Sequence, residues 1–371
     1  MKKHMIIAAA AALALVACAK VESIQNTNEE NAVSFGVYAG KMTPTKVTGL
    51  TTSNITNFGV YSSYTTAAWT TSDKMNFMYD QLVSGSDHSW TYSPVKYWPN
   101  ETSDRLSFWA YAPYKDANNG ITEKTANSDA GYPKITYTMP ADNYQVDLLW
   151  ATPVMNKVNN SSYTSGTANP TTPTPDGDAT ISNKVQFSFK HALALIDVQA
   201  RYLVDLANSP SGTTGDALPA ATVVKINSIT LSGDFPVSGD LNLNDGTWSA
   251  QGDPAAKSWT RNFASPKTVT NANASIIAAD EQIMVIPKAS GATTITLQVD
   301  YDVITTDTAL EAESISVNNV LSSTGSITIL GGKKYAIIAV LGLTSVKLDV
   351  LEIGDWGAVQ ASDEIDLPLN D

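Results

Sequence analysis

Apolar residues recur at every second position through most of the chain, and no convincing run has the i, i+3, i+4, i+7 spacing of a helix face. The elements this pattern predicts are β-strands with one side turned inward. Val33, Phe35 and Val37 alternate with small or polar neighbours. Leu106, Phe108 and Ala110 do the same, with Trp109 and Tyr111 facing the other way. Val185, Phe187 and Phe189 repeat the pattern and lead into Leu195-Ile196-Asp197-Val198. Leu241 and Leu243 alternate with Asn242 and Asn244, and Asp245-Gly246 supplies a hairpin turn before Trp248. Ile295, Leu297 and Val299 form a further strand, and Ile327 and Ile329 lead to Gly331-Gly332. Tyr335 to Leu343 is apolar enough for a strand buried on both faces, and Val346, Leu348 and Val350 alternate again. Abundant Thr and Ser suit strands and turns.

One stretch breaks the pattern. Asn159 to Thr180 holds three prolines, and its only apolar residues are Tyr163 and two alanines, so it reads as a linker or a long surface loop. A strand-rich half lies on each side. The expected division is 1–18 as an export signal, 19–46 as a propeptide, 47–182 as one β-domain and 183–371 as a second. A single domain carrying a long loop is the alternative.

The chain opens MKKHMIIAAAAALALVACAK. Two lysines precede an apolar run of twelve residues, Met5 to Val16, which is shorter than a membrane-spanning helix and has the layout of a signal peptide. Leu15-Val16-Ala17-Cys18 resembles a bacterial lipobox, and Cys18 is the only cysteine in the chain. Cys18 is therefore the expected acylation site. Several acyl chains would hold the protein at a membrane durably, at about 0.8 kcal/mol for each buried CH₂. A lone cysteine excludes an internal disulfide and any multi-thiolate metal centre.

Of 371 residues, 43% are apolar and 16% charged, which supports a folded core. The net charge of −13 leaves no basic domain for a nucleic acid. Catalytic signatures are missing. There is no G-x-S-x-G and no H-E-x-x-H, and beyond the signal only His88 and His191 remain. Gly331-Gly332-Lys333-Lys334 lacks the spacing of a phosphate loop, and Asp240 to Gly246 reads as a hairpin turn rather than a calcium loop. His88 reads as a solvated loop residue and His191 as a satisfied structural histidine. Paired carboxylates for glycoside hydrolysis stay open in principle, but nothing singles out a pair. No enzyme, metal or cofactor is expected.

The order of several segments resembles the fimbrillin family of Bacteroidetes, lipoprotein-exported pilins of the donor-strand type. The likeness rests on the lipobox, on Val33-Ser34-Phe35 followed by Thr45-Lys46-Val47-Thr48, and on Asn57-Phe58-Gly59-Val60-Tyr61. It continues through Trp90 to Pro99, Leu106 to Tyr114, Asp147 to Ala151, Phe189-Lys190-His191-Ala192 and Gly354-Asp355-Trp356. The resemblance implies an all-β protein of two transthyretin-like Greek-key β-sandwiches in tandem. It also implies export to the outer membrane as a lipoprotein and cleavage by a trypsin-like protease after a basic residue. Lys46-Val47 is the expected bond, with Lys41 the alternative, and an Arg-specific protease would cut neither.

Strand physics then supplies a mechanism. Cleavage after Lys46 would release the strand carrying Val33, Phe35 and Val37, exposing apolar core and unpaired backbone. Another subunit's strand can fill such a groove. The C-terminal tail has the required alternation, with Ile365, Leu367 and Leu369 separated by Asp366 and Pro368. An ordinary edge strand or a frayed tail is the competing reading. The expected function is a structural subunit of a cell-surface fimbria. Its partners would be other fimbrial subunits, a processing protease, the outer membrane through the lipid, and a host or bacterial surface ligand. The alternative is a fimbrial tip adhesin or a surface glycan-binding lipoprotein, with Trp90, Tyr92, Tyr97, Trp98 and Trp109 stacking on sugars rather than packing in the core. Asp307-Thr308-Ala309 resembles an O-glycosylation motif of the same phylum.

Overall fold

The computed structural model describes residues 32–39, 50–51, 53–86, 89–101, 103–140, 146–158, 184–203, 218, 222–252, 257–278, 281–305, 315–342 and 345–356. The regular elements among them are all strands. In chain order they are β1 (Ser34–Tyr38), β2 (Asn57–Thr65), β3 (Met78–Ser86), β4 (Ser89–Thr91), β5 (Arg105–Ala112), β6 (Ile121–Glu123), β7 (Lys134–Thr138), β8 (Leu149–Ala151), β9 (Val154–Lys157), β10 (Lys184–His191) and β11 (Ala194–Tyr202). There follow β12 (Thr222–Gly233), β13 (Ser238–Asn242), β14 (Trp248–Ser249), β15 (Lys257–Val269), β16 (Ala274–Ser275), β17 (Ile283–Val285), β18 (Thr293–Thr305), β19 (Ile315–Ile327), β20 (Lys333–Leu341) and β21 (Val346–Asp355).

Four sheets result. The first runs β1-β10-β8-β5-β2-β3-β4, with β9 also on β5. The second, β14-β13-β7-β6, joins two hairpins that lie a hundred residues apart in sequence, with Leu241 opposite Ile135. The third is β16-β11-β20-β21 with β17 on β11, and the fourth is β15-β12-β18-β19. Most neighbours are antiparallel; β1–β10 and β11–β20 are parallel.

The alternation read from sequence decides which side chain enters which core. On β5, Leu106, Phe108, Ala110 and Ala112 join one cluster with Val33, Phe35, Val37, Val185 and Phe187. Trp109 and Tyr111 point through the opposite face into a second cluster with Ile135, Tyr137, Leu241 and Trp248. That second cluster also takes in Ala192, Leu193, Met284 and Trp356, so the first sheet, the second sheet and the end of the third share apolar contacts. The third and fourth sheets enclose the remaining large core, with Ile196 and Val198 facing Ile229, Leu297 and Val299. On β20, Tyr335, Ile337 and Ala339 enter this core while Ala336, Ile338 and Val340 are buried on the other side, as a two-faced strand requires. The Asp245-Gly246 turn is present: Gly246 has φ of +72° and lies against the Trp150 indole, so a Cβ there would be both strained and blocked.

Hydrogen bonding does not break at residue 182. The strand Lys184–His191 pairs with β8 inside the first sheet, and the hairpin Ser238–Ser249 supplies half of the second. The reason is burial. Phe187 and Phe189 complete the same apolar cluster as Phe58 and Phe108, which is closed only when β10 lies beside β8.

One buried charge works against this core. Lys157 at the end of β9 is 5% exposed and lies over the Trp98 ring at 5.9 Å. No ion pair to it occurs among the described residues, and burial lowers its ammonium from 10.5 to about 8. Below pH 8 both the folded and unfolded chains carry the proton, and the whole desolvation cost falls on the fold. Between 8 and 10.5 the unfolded chain keeps the proton and the folded chain sheds it, so stability rises with pH in that window. Lys157→Met keeps the aliphatic stem and removes the charge. It is expected to raise stability by about 1–3 kcal/mol at pH 7. The gain should shrink toward zero as pH approaches 10.5, read as the difference in urea midpoint between variant and wild type across pH.

Candidate functional site

The site is the groove that holds β1. This strand is five residues long, sits at the end of the first sheet's strand order and pairs in parallel with β10, from Ser34 opposite Lys184 to Tyr38 opposite Ser188. On its other side, among the described residues, the chain around Val33 meets the segment Tyr92–Tyr97. Val33 N–H donates to the Lys96 carbonyl (2.9 Å), the Tyr92 hydroxyl donates to the Val33 carbonyl (2.7 Å), and Ala32 bridges Tyr97. The ladder is thin, but the anchors are deep. Val33, Phe35 and Val37 are each 2% exposed. Phe35 is ringed by four aromatics, with centroids at 5.4 Å (Tyr92), 5.7 Å (Phe187), 6.0 Å (Phe58) and 6.2 Å (Phe108). The stack on Phe187 is nearly parallel and the other three contacts are edge-on, the geometries that ring quadrupoles favour. On the opposite face Gly36 lies under the Gln186 side chain, where a Cβ would come within 2.0 Å of the carboxamide oxygen. Burial pushes the Tyr92 phenol up to about 12, so this donor stays protonated at physiological pH.

This construction separates two properties that usually go together. Side-chain burial holds β1 firmly, while among the described residues the one strand it pairs with is β10. Removing it would leave an apolar slot lined by Phe58, Phe108 and Phe187 and a free β10 edge, which is the kind of surface that accepts an added strand.

The three residues expected to form the first strand, Val33, Phe35 and Val37, therefore lie together in one groove. Cys18, the Lys46-Val47 bond with its alternative Lys41, the tail residues Ile365, Leu367 and Leu369, Asp307 to Ala309 and His88 lie outside the described residues. Of the aromatics named as candidates for sugar stacking, Trp98 and Trp109 are 0% exposed. Trp90 and Tyr92 pack against the first core and Tyr97 is half-buried. Trp98 and Trp109 are therefore structural packing. Asp240 accepts from Thr136 Oγ1 (2.6 Å) and pairs with Lys124, as a cross-strand contact would.

His191, the last residue of β10, is 5% exposed and has partners that its sequence position does not announce. Its Nδ1 lies 2.9 Å from one oxygen of Asp147 and 3.1 Å from the other. Asp147 also accepts the Leu50 N–H at 2.7 Å. The imidazole stacks on the Trp356 indole, centroids 3.9 Å apart and planes within 8°. Asp147 and Trp356 are separated from His191 by 44 and 165 positions. No spacing rule links them; Trp356 was visible only through the family resemblance.

The structure is that of an all-β protein of several sheets with a short, deeply anchored strand at one sheet edge. The chain belongs to the fimbrillin-like family, whose model matches residues 45–356. That is a family of fimbrial and cell-adhesion proteins. A fimbrium subunit of Phocaeicola vulgatus, Fim1C, is 22% identical over 373 residues, covering 92% of each chain. The crystal structure of a fimbrial protein from Bacteroides vulgatus aligns with a TM-score of 0.54 at 18% identity, over 88% of this chain and 99% of that one. At that identity the likeness concerns the fold.

Proposed function

We propose that this protein is a structural subunit of a cell-surface fimbria, built as two tandem transthyretin-like Greek-key sandwiches. It is exported as a lipoprotein acylated at Cys18 and held at the outer membrane. A protease cuts between Lys46 and Val47, β1 leaves, and the tail carrying Ile365, Leu367 and Leu369 of another copy takes its place. The product is a homopolymer at the cell surface that supports adhesion. The observation that carries this reading is the contrast at β1: Phe35 and Val37 on this five-residue strand and Val33 just before it are each 2% exposed, while among the described residues the strand pairs in a ladder with β10 alone. A donor with the same alternation can recover the burial, at about 1.5–3 kcal/mol per large side chain, and add a longer ladder.

Limited trypsin digestion of residues 19–371, with N-terminal sequencing and unheated SDS gels, tests it. A cut after Lys46 followed by SDS-resistant ladders is the expected result. A clean cut leaving a stable monomer would move the assignment to a tip adhesin. Resistance at Lys46 with β1 retained would overturn the processing step.

A further inference from the structure

The root of the C-terminal tail is clamped. Trp356 follows β21 directly and is 6% exposed. Its N–H donates to the Gly332 carbonyl at 2.6 Å, and its indole is stacked on His191. His191 is braced by Asp147, and Asp147 by the Leu50 N–H. Fifteen residues follow Trp356, including the alternating Ile365, Leu367 and Leu369. Leu50 lies three positions past Val47, and His191 ends the strand against which β1 pairs. One contiguous set of contacts therefore joins the tail's root, the strand lining the β1 groove and the segment just after the expected cut.

We propose that the His191–Trp356 stack is a positioning device for strand donation, with His191 and Trp356 as positioning residues. It fixes the point and direction at which the tail leaves, so a second copy of this chain meets a donor that cannot pivot at its root. The inference rests on the strand-exchange reading above. A tail free to swing must surrender that freedom on docking, whereas a clamped root has already lost it. The same clamp sets the angle between successive subunits. His191 Nε2 and Trp356 Nε1 are buried with no hydrogen-bond partner among the described residues. An aliphatic side chain would fill the space without orphaned ring nitrogens, but would not hold a planar partner in one orientation.

The test uses the 19–371 chain after trypsin processing. Trp356→Ala removes the stack, Trp356→Phe restores a planar ring, and three glycines inserted after Trp356 leave the stack intact but free the tail. A labelled synthetic peptide of residues 357–371 reports on the groove. Ladder growth and the spread of inter-subunit angles in electron micrographs report on donation. Peptide affinity should stay within about twofold of wild type in every variant, while the alanine and glycine variants slow ladder growth about tenfold and broaden the angles, with phenylalanine near wild type. Glycine-insertion fibres that grow and bend like wild type would overturn the positioning role, and this variant decides the matter if Trp356→Ala fails to fold. Failure of the wild-type groove to bind the peptide would instead sink the strand-exchange reading, and the inference with it.

Discussion

Phe35→Ala is expected to lower the stability of the unprocessed chain by about 3–5 kcal/mol, a large share of the 5–15 kcal/mol typical of a domain. The ring is 2% exposed and contacts four other rings. Truncation would therefore leave a cavity bounded by aromatic faces that cannot collapse together. Phe35 is the second residue of a five-residue strand, so the backbone offers little compensation. Part of the loss should appear locally: β1 loosens, and cleavage near residue 46 quickens at concentrations of protease that barely touch wild type. Ser34→Ala on the exposed side of the same strand is the control and should change neither quantity measurably. Urea denaturation of 19–371 gives the first number and digestion kinetics the second. A loss under about 1 kcal/mol would mean that β1 does not occupy this groove in solution.

Leu367→Asp should abolish polymer formation while leaving the unprocessed monomer's unfolding midpoint unchanged. The groove vacated by β1 is lined by the rings that surround Phe35, namely Phe58, Tyr92, Phe108 and Phe187. A carboxylate driven among these rings would lose its hydration, a cost of several kcal/mol that exceeds what one leucine contributes. Because the lesion lies in the donor, the variant's own groove remains able to accept. Processed Leu367→Asp chains mixed with processed wild type should therefore shorten the ladders in proportion to their fraction, each joining a wild-type tail and ending growth. Full-length ladders from the variant alone would remove the tail from the mechanism.

Much of the strand pattern was legible. The alternations at Leu106 to Tyr111, Val185 to Phe189 and Ile295 to Val299 each fall on a strand with the apolar side buried, and Val33 to Val37 do so with Val33 just ahead of β1. At Val346 to Val350 the apolar side is only half-buried against the core, while Asp349 on the other side is buried. The two-faced burial of Tyr335 to Leu341 was also visible, because a run without polar interruptions has no side to give to water. Lys257–Val269 was not legible. It is a strand of thirteen residues that is mostly exposed, so it carries no alternation to read. Lys157 was missed for a related reason, since a lysine signals the surface until its neighbours are known. His191 read simply as a structural histidine, and its contact with Asp147 fits that, but nothing in its surroundings along the chain pointed to Trp356.

By itself, the sequence determined that the chain is built from strands and which side chain of each strand turns inward. That information is local: a period of two relates residues whose separation the backbone geometry sets at once. The tertiary structure decided which strands are neighbours. A strand with one apolar face can satisfy its backbone against many edges, and the choice follows from which arrangement closes the cores while keeping the backbone paired. That choice carries Lys184–His191 back into the first sheet beside β1, and sets Asp147, His191 and Trp356 in contact at the root of the tail.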